Sequence, residues 1–277
     1  MTEKTLNNRK NGMVVLLLLV LAYVASVVLF IFGVSYDILP LTLISCVWFV
    51  FGWIFFLGLK VLKPQEALVL TLFGKYVGTL KNSGFYFVNP FCTAVNPAAG
   101  TKLNQSGDVK VLGAKQPSGG VDVSIDIPTK KISLKIMTLN NNRQKINDCL
   151  GNPVEIGIAV MWRVVDTAKA VFNVDNYKEY LSLQCDSALR NIVRIYPYDI
   201  APNVDTTGDG IADEGSLRGS SEVVAARIKD EIQDKVSEAG IEILEARITY
   251  LAYAPEIAVA MLQRQQASAV IDAKRAI

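Results

Sequence analysis

Three carboxylates spaced four apart, Asp205, Asp209 and Asp213, are the residues of this chain best placed to hold a cation. In the run from Asp205 to Glu214 they fall at usable positions of a calcium loop. The match stops there. Thr207 stands where a third ligand belongs, Ser216 stands where a bidentate glutamate would close the site, and no helix pair is registered to the loop. A solvated acidic loop over 203–216 is the stronger reading. Asp122 and Asp126 share one face of an alternating segment, as an acid/base pair would, but carboxylates on such a face ordinarily meet solvent. Histidine is absent. That removes Ser-His-Asp and Cys-His nucleophiles, histidine-ligated zinc and imidazole proton transfer together. Cys46, Cys92, Cys149 and Cys185 are scattered, with neither CxxC nor metal-ligand spacing, and read as small apolar residues of a reducing compartment. The chemistry-bearing residues therefore point to no enzyme and no cofactor.

The elements around them point to a membrane. The 277 residues are 51% hydrophobic, and the excess lies before Lys60. Residues 13–34 carry no charge and are long enough to cross a hydrocarbon core as a helix. A short link holding Asp37 and Pro40 leads to a second apolar run, 41–59, with Trp48 and Trp53 inside it. A cleaved signal peptide is excluded by the length of the first run and the immediate second one. Lys4, Arg9 and Lys10 precede the hairpin, Lys60 and Lys63 follow it, and neither Lys nor Arg lies in the link. By the positive-inside rule, the N-terminal segment 1–12 and everything after the hairpin are cytoplasmic, a multi-pass arrangement in the cell membrane. A net charge of +2 and the lack of a basic stripe with interleaved aromatics argue against nucleic acid as a partner.

Beyond Lys60 the expected fold class is α+β. Ala67–Phe73 reads as a strand, and Gly84–Pro90 is a second, aromatic segment. Phe85, Phe87 and Phe91, so close to the membrane exit, are candidates for contact with the bilayer interface. Val121, Val123, Ile125 and Ile127 alternate, as do Ile132, Leu134 and Ile136, and Asn140-Asn-Asn142 reads as a turn. The most regular stretch is Val154–Val164, apolar at every second residue, which predicts a central strand with a helix across its apolar face. Asp166 is placed to cap the helix that follows. Amphipathic helices are expected over 177–195 and 217–239, the latter ended by Gly240, then a strand over 241–251. Pro255 suits the first turn of a last helix, whose less polar side carries Ala258, Met261, Leu262, Gln265, Ala269 and Ala276.

Several runs of residues carry a family resemblance. Gly-Asn-Pro-Val-Glu-Ile (151–156), Trp-Arg-Val-Val-Asp-Thr-Ala-Lys-Ala (162–170), Ala-Leu-Arg (188–190) and Tyr-Pro-Tyr-Asp (196–199) resemble the SPFH or band 7 superfamily, the stomatin, prohibitin, flotillin and HflK/C group. Phe73–Tyr76 with Gly84–Phe91, and Ala252–Ala258 with Met261–Ala267, extend the likeness over about 61–277. It is closest to bacterial membrane-anchored members. The inserted loop 203–216 and a helix ending at Ile277 depart from the family pattern. The resemblance implies an SPFH domain over 60–252, mainly antiparallel sheet with packed helices, and over 253–277 the start of a long coiled-coil-type helix. It also implies a non-enzymatic scaffold whose copies assemble into rings or cages that organise membrane microdomains. On that basis Met261, Leu262, Gln265 and Ala269 are the expected oligomer contacts, with Arg264, Asp272, Lys274 and Arg275 pairing between subunits. The expected partners are membrane lipid, further copies of the chain, and a membrane protease or transporter as client. The alternative is a regulatory subunit of one membrane partner, such as an FtsH-type protease or a transporter.

Overall fold

The computed structural model describes residues 2–6, 11–101, 103, 130–141, 143–199, 215–263 and 266. The calcium-loop candidates Asp205, Asp209 and Asp213, the pair Asp122 and Asp126, the strand expected over 121–127, and residues Arg264, Gln265, Ala269, Asp272, Lys274 and Arg275 lie outside them. The fold mixes helix with antiparallel sheet, and the chain divides into two compact units. The first unit is Met1–Gly100 with Ser124–Lys135 and Val164–Asp175; the second is Thr101–Val123 with Ile136–Arg163 and Asn176–Ile277.

In the first unit two apolar helices lead. Helix α1 (Gly12–Ser35) is followed by a three-residue link, then α2 (Leu39–Phe51), which continues as a 3-10 segment over Gly52–Gly58. Pro40 sits in the first turn of α2, where its missing N–H costs nothing, rather than in the link. At 1.5 Å per residue α1 is about 36 Å long, and the second helix with its 3-10 end reaches about 33 Å. Each exceeds the ~30 Å of a bilayer's hydrocarbon core. Strand β1 (Leu59–Leu62) leaves the hairpin and pairs antiparallel with β4 (Gly84–Phe87). Beside it, β2 (Glu66–Leu72) is central: β3 (Lys75–Leu80), β5 (Cys92–Ala94) and β6 (Ile132–Ser133) all pair with it antiparallel. Its residues Ala67–Thr71 are buried without alternation, so both faces of β2 are covered. Leu62, Leu68, Leu70, Leu80, Tyr86 and Val88 form the core of this unit, joined by Leu6 from the N-terminal segment.

The alternation Ile132, Leu134, Ile136 does not give one strand. Ile132 pairs with Ala67 and the Leu134 N–H donates to the Gln65 carbonyl at 2.9 Å, but Ile136 belongs to the other unit and is exposed. The periodicity is that of two short pieces, each serving a different sheet.

In the second unit β9 (Pro153–Val164) is the central strand, flanked by β10 (Ile241–Tyr253) on one side and by β7 (Met137–Asn140) and β8 (Gln144–Asn147) on the other. Val154, Ile156, Ile158, Val160 and Trp162 are completely buried, as the period-two pattern requires. No hairpin forms across the turn expected at Asn140–Asn142, because β7 and β8 both pair with β9. Met137 pairs with Trp162 and Gln144 with Ile156, so the register along β9 changes by one residue between β7 and β8, a bulge. The Asn141 N–H keeps the ladder going by donating to the Ile158 carbonyl at 2.8 Å. Tyr177, opening α4 (Tyr177–Val193), meets Trp162 edge-on at 6.3 Å between ring centroids, which sets that helix on the apolar face of β9. Asn176 caps α4, its side-chain oxygen accepting from backbone N–H groups of the first turn, as Asp166 does for α3 (Thr167–Phe172) in the first unit. Helix α5 (Ser221–Val236) buries Val224, Ile228, Ile232 and Val236, one per turn, and Gly240 at φ 66° ends that segment. A last helix, α6, begins at Pro255 and is helical over 255–263.

Candidate membrane-contact site

The hairpin buries very little of itself. Of the 24 residues of α1, those buried are Gly12, Leu19, Ser26 and Gly33, one every seven residues, and on α2 the buried residue is Ser45. Gly12 meets the sheet, and of the other three positions Ser26 and Gly33 are small, which lets two helix backbones approach closely where no hydrophobic effect drives them together. At Gly33 the approach leaves no room: an added Cβ would lie 2.7 Å from the Thr42 methyl. The hydroxyls inside the hairpin are satisfied within their own helices, Ser26 donating to the Tyr23 carbonyl at 2.8 Å and Thr42 to the Leu39 carbonyl at 2.8 Å. Tyr23, midway along α1, lies within 5.8 Å of both Phe49 and Phe56 by ring centroids, so aromatic packing joins the two helices there. The remaining surface is Leu, Val, Ile and Phe, exposed, as suits a helix pair surrounded by hydrocarbon. Asp37 stands in the link with φ 51°, at the end of the hairpin away from the sheets.

Each foot of the hairpin rests on one of the aromatic residues singled out in the sequence. A Cβ at Gly12 would come within 2.8 Å of Phe85, and a Cβ at Gly58 would clash with the Val88 carbonyl and come within 2.8 Å of the Phe87 ring. The Val88 N–H donates to the Gly58 carbonyl at 2.9 Å. Phe85 and Phe87 are consequently half-buried, occupied as packing for the two glycines. They share one face of the β1–β4 ribbon with their register partners Val61 and Leu59, while Tyr86 and Leu62 point into the core from the other.

Phe91 differs from them. It is 59% exposed, at the tip of a turn in which the Cys92 N–H donates to the Asn89 carbonyl and the Phe91 N–H to Asn89 Oδ1. Its ring stacks on Phe73, with centroids 6.4 Å apart and planes 26° from parallel. Phe73, at the end of the strand expected over Ala67–Phe73, is 88% exposed. It sits with Gly74 in the two-residue turn joining β2 to β3, at φ 48° and 84° respectively. Both values are positive, as in the hairpin turn that ordinarily takes Asn-Gly or Gly-Gly. A phenylalanine in that conformation costs about 1–2 kcal/mol. The signal was present in the sequence as Leu-Phe-Gly-Lys, a turn with an aromatic where a turn-former belongs.

A second feature ties the hairpin to this unit. Residues 2–6 precede α1 yet lie along β3: the Leu6 N–H donates to the Thr79 carbonyl at 2.9 Å and the Thr79 N–H to the Lys4 carbonyl at 2.8 Å, in parallel pairing. Leu6 covers Gly78, where a Cβ would fall 2.6 Å from its Cγ. The Glu3 carboxylate accepts from the Thr167 hydroxyl at 2.5 Å and the Thr167 N–H at 3.2 Å, and pairs with Lys81 at 2.6 Å. This strap reads as an unstructured polar tail in the sequence, because five residues are too few to show a period.

At the other end of the chain, Met261 is half-buried, whereas Leu262 and Val259 are exposed at 56% and 69%. The thiols show no reactive environment: burial pushes Cys185 up to about 12 and raises Cys92 and Cys149 as well. Among the described residues no group of His, Cys, Asp and Glu is arranged to hold a metal ion. No curated protein matches the chain. Residues 60–276 match the SPFH domain / Band 7 family, and the chain belongs to that family of membrane-associated, scaffold-like proteins, which are generally not enzymes.

Proposed function

We propose that the protein is a membrane-anchored scaffold that oligomerises into rings or cages and organises membrane microdomains and their protein clients. The observation that carries this reading is the union of an SPFH match over 60–276 with an N-terminal helix pair that is apolar and exposed outside a narrow seam. The hairpin is the anchor. Both its ends face the cytoplasm in this reading, supported by the Lys and Arg residues on either flank and by the strap, which holds residues 2–6 against a strand that follows the hairpin. Residues 60–252 act as the SPFH domain, and 253–277 begin the helix through which neighbours assemble. The exposed pair Val259 and Leu262, three apart on α6, supports a helix contact there beside Met261. Val259 joins the set expected from the sequence.

Electron microscopy of the detergent-extracted full chain and of a Pro255–Ile277 deletion, side by side, tests this. Closed rings or cages that disappear on deletion are the expected outcome. Small uniform particles from both proteins would instead favour a regulator of a single membrane partner, such as an FtsH-type protease or a transporter.

A further inference from the structure

The exposed aromatic pair has no work to do in the fold. Phe73 occupies a turn position that Asn or Gly fills at lower cost, and its side chain is more exposed than any other large apolar residue described. Phe91 is its only ring partner among the described contacts, and the stack leaves most of both rings uncovered.

The chain path fixes where these rings are. Strand β4 runs toward the hairpin, Phe87 packs on Gly58, and the Val88 N–H is bonded to the carbonyl of that glycine, the last residue of the second apolar helix. Phe91 follows Val88 by three residues, so its Cα lies no more than about 11 Å from that of Val88, the residue bonded to the foot. Leu72 pairs with Cys92, which places Phe73 directly opposite Phe91 at the same end of the ladder. Exposed Lys75 adjoins the turn, and Lys60 and Lys63 lie on the segment leaving the hairpin. Aromatic rings at the height where an apolar anchor ends, bordered by lysines, match the composition of a membrane–water interface.

Resting on the reading of the hairpin as a membrane anchor, we infer that Phe73 and Phe91 form a wedge that enters the headgroup–acyl boundary of the bilayer beside the hairpin foot. Lysines 60 and 75 meet anionic headgroups around it. The wedge gives the domain a second attachment and so fixes its tilt on the surface, which a hairpin alone leaves free to vary. A neighbouring copy is the competing occupant. Continuity with the apolar surface of the hairpin favours lipid.

The test replaces Phe73, Phe91 or, as a control inside the hairpin, Leu43 with the photoreactive p-benzoylphenylalanine in the full chain. Each variant is reconstituted in vesicles of phosphatidylethanolamine and phosphatidylglycerol and irradiated, and the adducts are identified by mass spectrometry. Lipid adducts at all three positions are expected. Lipid at position 43 with solvent quenching at 73 and 91 overturns the wedge and leaves the anchor standing. Adducts from 73 or 91 to a second protein chain overturn it in favour of an interface between copies. Absence of lipid at all three overturns the anchor and the wedge with it.

Discussion

At the scale of single residues, the turn at Phe73 separates two reasons for choosing a side chain. If that ring served folding, Phe73→Asn would destabilise the protein. We expect instead a change of less than about 1 kcal/mol in thermal unfolding in detergent, because relief of about 1–2 kcal/mol of left-handed strain offsets the loss of a stacked pair worth about 0.5–1.5 kcal/mol. Glu66 bears on pH dependence. Burial alone would raise its carboxyl, but the hydrogen bond from Lys131, at 2.9 Å, and the Lys63 N–H outweigh burial and hold it below the ordinary value of 4.5. A depressed carboxylate contributes its stabilisation fully above the unfolded value and loses it as pH falls through the folded one. The pair ties β2 to the start of β6, so Glu66→Gln is expected to reduce stability at neutral pH and to flatten its dependence below about pH 4.5. Equilibrium unfolding followed by circular dichroism against pH checks both parts, and an unchanged acid limb would remove Glu66 from the account.

At the scale of elements, what the sequence disclosed follows from what each element buries. Strand β9 was legible because it buries every second residue from Val154 to Val164 and leaves Arg163 exposed, a pattern only a strand produces. Truncating its largest member, Trp162→Ala, should cost about 3–5 kcal/mol and unfold the second unit first, seen as early loss of hydrogen-exchange protection in β9 and β10. The bulge between β7 and β8 was not legible. Asn140–Asn142 carries turn chemistry, and only the pairing partner shows that the chain runs straight on along β9. That irregularity brings Asn141 and Gln144 to the same carboxylate oxygen of Asp186 on α4, each at 2.5 Å, a long-range reason for local polarity. In the hairpin, the repeat Gly12, Leu19, Ser26, Gly33 was visible but lost among apolar neighbours. Gly33→Leu is expected to part α1 from α2 at the Thr42 contact while leaving both helical. A cysteine pair across the seam that cross-links in the parent and fails in the variant would report this, and equal cross-linking in both would sink the seam assignment.

At the scale of the whole molecule, the hairpin and the sheets of the first unit are joined at three places: at Gly12 with Phe85, at Gly58 with Phe87, and through the strap. Gly78→Val removes the space that Leu6 fills and is expected to release residues 2–6 without unfolding either unit. The readout is new cleavage near the N-terminus in limited proteolysis at an unchanged unfolding temperature. The strap also carries a consequence for how the protein is made. Glu3 leaves the ribosome near the very start, but Thr167, its hydroxyl partner, is synthesised 164 residues later. At about 5–20 residues per second the strap waits roughly 8–33 s for its latch, and both apolar helices emerge in the interval. On the proposed reading of the hairpin as an anchor, it enters the bilayer while its leading end is still loose. Closure of the strap thus comes after both apolar helices are made, and it requires the two ends of the hairpin to lie on one side of any membrane it crosses.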